Sequence, residues 1–69
     1  AKEASDASLS DTDLFILRAV ADGKTNKEIA LEINRSEVAV KMRMRTICQR
    51  LNARNRAHAV IMASKAELI

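Results

Sequence analysis

The sequence predicts an all-α fold, a compact domain of four short helices, and three observations carry that prediction. Among 69 residues there is no Pro, Trp or Tyr, one Gly and one Phe, so strand and turn formers are scarce while Ala, Leu, Ile, Arg, Lys and Glu abound. Apolar residues recur at helical spacing, and a capping residue stands before each such run. The basic charge, finally, is gathered on one of these runs instead of being spread along the chain.

Ser10 with Asp13 three residues on reads as the start of the first helix, and Leu14, Leu17, Val20 and Ala21 then supply its apolar side. Gly23 stops it as a left-handed residue. Thr25 followed by Glu28 is a capping box that opens a short second helix, about Asn26 to Ile33, burying Ile29, Ala30 and Ile33. Asn34 closes it, and Ser36 caps a third helix that runs to about Leu51, where Asn52 takes the left-handed position. Asn55 caps a fourth, Arg56 to about Ala66.

Size and composition exclude much. A chain of 7.6 kDa holds one small core and no large enzyme fold. The longest unbroken apolar run, Ala59 to Ala63, is far short of the ~20 residues of a bilayer span, and no signal-peptide pattern opens the chain, so a cytoplasmic protein with no membrane partner is expected. One cysteine, Cys48, makes no internal disulfide, and with one histidine, His58, it fills no zinc site. No cofactor is expected. Ala1 to Ser8 has the composition of a linker, leaving residues 9–69 as the domain, and an initial Ala instead of Met fits a fragment or a processed product.

The net charge of +3 conceals an asymmetry. Residues 1–34 carry four basic and seven acidic groups, whereas residues 35–56 carry Arg35, Lys41, Arg43, Arg45, Arg50, Arg54 and Arg56 against Glu37 alone. A concentrated positive segment on a small domain attracts polyanions, nucleic acid first. Two helices joined by a short turn, the second longer and basic, form a helix-turn-helix, in which the second helix enters the major groove. On the third helix Met44, Ile47 and Leu51 fall within about 40° of Val40, forming one apolar stripe. Lys41, Arg45, Val38, Gln49 and Met42 occupy the opposite half, between about 100° and 200°. This mixture suits base reading: Arg and Lys donate to guanine, Gln pairs with adenine, and Val38 or Met42 meets a thymine methyl. The N-termini of the second and third helices, with Thr25, Lys27 and Ser36, are natural phosphate clamps.

The segments ADGKTNKEIA, SEVAVKMRMRTICQRL and NARNRAHAV, with Gly23, Asn26 to Ala30, Ser36, Val40-Lys41, Ile47, Leu51 and Asn55-Arg56 in register, resemble the LuxR-type helix-turn-helix domain, as in the output domains of NarL/FixJ response regulators. The resemblance covers residues 9–63. It implies a transcription-regulator domain whose third helix reads DNA at Lys41, Met42 and Arg45. It also implies backbone contacts at Lys27, Ser36, Thr46, Gln49, Arg43 and Arg50, and a fourth helix that supports a homodimer. Double-stranded DNA, an upstream regulatory domain and RNA polymerase are the partners it implies. Five positions depart from the pattern: Val38-Ala39 stands for Lys-Thr, Arg43 for His, Asn52 for Gly and Phe15 for Glu.

On the fourth helix Ala59, Val60 and Ala63 face inward, and Ala57, Ile61 and Lys65, flanked by Met62, form an outer strip suited to dimerisation. Phe15 projects away from the buried side of the first helix, so it either folds back on Leu9 or docks on an upstream domain or second subunit. Cys48 borders the core as a small hydrophobe, with no resolving cysteine for redox sensing. His58 is expected on the outer side of its helix, and neither it nor the serines have partners for catalysis, so no enzyme is expected. The function expected is sequence-specific DNA binding as a dimer on an inverted repeat. Region 4 of a sigma factor, or a helix-turn-helix that has lost DNA binding and serves as an interaction or dimerisation module, are the alternatives.

Overall fold

Each helix begins on the side chain the sequence offers for it. In the computed structural model, which describes residues 9–69, α1 spans Asp11–Ala21, α2 Asn26–Ile33, α3 Glu37–Leu51 and α4 Arg56–Lys65. The expected linker, residues 1–8, lies outside the described residues. Ser10, Thr25, Ser36 and Asn55 are all extended, and their side chains accept the backbone N–H of Asp13, Glu28, Ala39 and His58. At α1 and α2 the third helical residue returns a bond, completing a capping box.

The four C-terminal ends share one device. Gly23, Asn34, Asn52 and Glu67 have φ of 86°, 59°, 57° and 59°. In each case the next N–H closes on a carbonyl five residues back: Lys24 to Ala19, Arg35 to Ala30, Ala53 to Cys48 and Leu68 to Ala63. This bond satisfies an orphan carbonyl and turns the chain sharply. Gly and Asn tolerate the left-handed conformation; Glu67 bears its steric cost. Asn34 and Ser36 thereby set α3 against α2 across a turn of three residues, as a helix-turn-helix requires.

Ile16 and Leu17 of α1, Ile29 of α2, Val40 and Ile47 of α3, and Ala59 and Ala63 of α4 are fully buried. Each large member contributes about 1.5–3 kcal/mol of transfer free energy. The alanines of α4 let its backbone come close to α1 and α3, the helices it packs on. The face that α1 buries differs from the expected one. Leu14 and Val20 are only half-buried and Ala21 is exposed, whereas Ile16, Ala19 and Asp13 are buried. α1 touches all three other helices, so its buried arc is wider than one stripe and turned toward Ile16. Ile33, Leu51 and Val60 are half-buried at the margin of the core. No helix among the described residues is long and apolar enough to cross a membrane.

Candidate nucleic-acid interface

The two faces of α3 divide as their spacing predicts. Val40, Met44 and Ile47 enter the core, while Lys41, Met42, Arg45, Gln49 and Arg50 are exposed. Val38 and Met42 keep 68% and 56% of their surface in contact with solvent. Two large apolar side chains thus stand on the same outer face as two cations, an arrangement that burial within this chain does not account for.

Lys41, Met42, Arg45 and Cys48 line a groove whose far wall is Asn26 and Arg56. A second groove holds Thr25, Asn26, Lys27 and Glu37, and again Arg56. The Arg56 guanidinium donates to Asn26 Oδ1 at 3.0 Å, tying the start of α4 to the start of α2. These two residues therefore join the outer row of α3 to the N-terminus of α2 in one surface. Neither was among the site residues expected, although both sit in the motif and Arg56 in the basic segment. Sequence spacing carries no sign of a contact across 30 positions.

The expected phosphate residues differ in what their polar atoms already do. Thr25 and Ser36 accept a cap hydrogen bond, at 3.2 and 3.1 Å, which leaves the hydroxyl hydrogen of each to be donated. Thr46 donates its hydroxyl to the Met42 carbonyl at 3.2 Å, so its one donor is engaged within α3. Lys27 is exposed. Glu28 and Glu37 put carboxylates beside the N-termini of α2 and α3, opposing an anion there. Arg43 is turned away: Nε lies 3.1 Å from Asp13 Oδ1 and Nη2 donates to Ser10 Oγ at 3.3 Å. In the free protein its guanidinium is held by the start of α1.

Ala57, Ile61 and Lys65 form an exposed strip on α4, with Met62 half-buried beside it. Phe15, 38% exposed, borders a groove with Arg18, Glu32, Ile33 and Arg35, while Leu9 packs on the core. His58 is half-buried instead of lying fully outside, and its Nδ1 accepts the Arg54 backbone N–H at 3.1 Å, so it serves the N-terminus of α4. Burial pushes the Cys48 thiol above its ordinary range while the Arg56 charge pulls it down, which keeps it protonated at neutral pH and a poor nucleophile.

The description "Bacterial regulatory proteins, luxR family" matches residues 7–63. The chain belongs to the luxR family. The chain is therefore a helix-turn-helix domain of DNA-binding transcription regulators. The HTH-type transcriptional regulator AlkS of Ectopseudomonas oleovorans is 38% identical over 69 residues, all of this chain and 8% of AlkS. The nitrate/nitrite response regulator protein NarP of Escherichia coli strain K12 is 39% identical over 54 residues, 78% of this chain and 25% of NarP. The transcriptional regulatory protein YdfI of Bacillus subtilis strain 168 is 31% identical over 68 residues, 99% of this chain and 32% of YdfI. The luxR-family domain thus spans a third or less of these relatives. No solved structure gives a significant match.

Proposed function

We propose that this luxR-family domain reads a specific double-stranded DNA sequence with α3 in the major groove. The observation that carries the reading is the continuous surface in which Asn26 and Arg56 join Lys41, Met42 and Arg45 to Thr25 and Lys27. Lys41 and Arg45 donate to guanine O6 and N7, while Met42 and Val38 meet thymine methyl groups. Thr25, Lys27, Ser36, Gln49 and Arg50 hold phosphates, with Thr46 joining them once it releases the Met42 carbonyl. The domain acts in the cytoplasm, within a longer regulator that brings an upstream domain and meets RNA polymerase. It pairs through Ala57, Ile61, Met62 and Lys65, which places two reading helices about 34 Å apart on an inverted repeat.

Selection from a random duplex pool, followed by affinity against salt, tests this. A two-fold symmetric site should be enriched, with log affinity falling linearly against log salt. Arg45→Ala should cost about 1–3 kcal/mol on that site and relax one base position, whereas Lys27→Ala should weaken all duplexes alike and lower the salt slope by about one. Equal loss on every duplex for Arg45→Ala would remove it from base reading. No enriched sequence and no binding at low salt would favour an interaction module.

A further inference from the structure

We propose that Asp13 and Arg43 are positioning residues of the reading helix: their ion pair fixes α3 on the start of α1 and so sets where Lys41, Met42 and Arg45 point. The inference rests on the reading of α3 as the DNA-reading helix. The Asp13 side chain is only 6% exposed. Its Oδ2 accepts the Ser10 backbone N–H at 3.0 Å, while Oδ1, buried and without a hydrogen bond, lies 3.1 Å from Arg43 Nε. Arg43 Nη2 donates to Ser10 Oγ, which itself accepts the Asp13 N–H at 3.1 Å. Three side chains, two of them 33 positions apart, therefore close one polar cluster at the edge of the core.

The core alone specifies the rotation of α3 weakly. Val40, Met44 and Ile47 make non-directional contacts, and Met44 adapts readily to a shifted neighbour. The Arg43 Nη2 hydrogen bond to Ser10 Oγ is directional, and the ion pair to Asp13 holds the planar guanidinium beside it. Arg43 stands two residues from both Lys41 and Arg45, so a helix held there presents both. A phosphate taking Arg43 would have to draw it from Asp13 and leave a buried carboxylate unpaired, a costly exchange. The two possible roles of Arg43 therefore exclude each other.

The test compares Asp13→Asn, which keeps an oxygen for the Ser10 N–H, with Arg43→Gln, the double variant and Asp13→Glu, all in the full chain. Binding is measured to a duplex enriched from a random pool and to an unselected random duplex, with salt varied and folding verified by circular dichroism. Each single variant should reduce the preference for the enriched duplex roughly tenfold, with no further loss in the double variant, as for coupled partners. The salt slope and binding to the random duplex should hold, and Asp13→Glu should restore the preference. Loss of an acidic charge alone would instead raise affinity for every duplex. If Arg43→Gln lowers the salt slope by about one and weakens all duplexes equally, while Asp13→Asn does not reduce the preference, Arg43 is a phosphate contact and the proposal falls. If the domain enriches no sequence, the reading of α3 fails, and the positioning is then read from the free protein. Asp13→Asn should shift the amide resonances of Lys41 and Arg45, and unmoved signals would overturn the proposal.

Discussion

The starts of α1 and α2 carry the same local motif and put it to different use. Ser10 with Asp13 and Thr25 with Glu28 each exchange two hydrogen bonds between the N-cap and the third helical residue. Each region also has an ion pair nearby, Asp13 with Arg43 and Lys24 with Glu32. Yet Asp13 is 4% exposed, whereas Glu28, Lys24 and Glu32 meet solvent. The short carboxylate of the first box lies on the buried arc of α1 under α3, and the longer one of the second lies on the open side of α2. A capping box is therefore a local stop signal in one helix and a tertiary anchor in the other.

The largest effect expected from this contrast is on stability. Asp13→Ala removes a cap acceptor and leaves Arg43 without its carboxylate, and should cost about 2–3 kcal/mol. A domain of this size has on the order of 3–5 kcal/mol to lose. Glu28→Ala removes an exposed acceptor only and should cost roughly 0.5 kcal/mol, near the low end for caps. Urea unfolding of both variants checks the difference. Equal losses would mean that burial adds nothing to the first box.

Which parts of this were legible in the sequence follows from the range of the interactions. Ser10, Thr25, Ser36 and Asn55, with Gly23, Asn34 and Asn52, place the helix ends because a cap is decided within a few residues. The outer row of α3 was legible too, since a helix of 15 residues shows its period plainly. The grip of Asp13 on Arg43, the Arg56 bond to Asn26 and the burial of Ile16 ahead of Val20 depend on how helices meet. Spacing within one helix holds no record of that. Arg43 could be placed at the edge of its stripe, but whether its guanidinium turns outward to a phosphate or back to α1 is fixed by a residue 30 positions away.

The C-terminal ends sharpen the contrast, because there the local rule works without tertiary help. Gly23 has φ of 86° and no atom near the place a Cβ would take. Gly23→Ala should therefore cost only the conformational term, about 1 kcal/mol. Glu67 adopts the same region with a full side chain, so Glu67→Gly should gain about 0.5–1 kcal/mol. Thermal midpoints of the two variants should move in opposite directions. A loss on Glu67→Gly would show that its side chain does more for the last turn than its backbone strain takes away.

The smallest effect separates the two ion pairs. Hydrogen bonding to Glu32 outweighs the opposing desolvation and, aided by the lesser pull of the Glu32, Asp22 and Glu28 charges, raises the Lys24 pKa above its ordinary value. A raised lysine pKa contributes stability that is complete below the unfolded-state value and disappears as pH rises through the folded-state one. The wild type should thus lose thermal stability relative to Lys24→Met only in alkaline solution. Both partners are solvated, so added salt should erase the neutral-pH difference as well. The Asp13 pair, with its carboxylate under α3, should keep most of its effect in the same salt. A salt response as large for Asp13→Asn as for Lys24→Met would place the two pairs in the same medium and undo the distinction between the two helix starts.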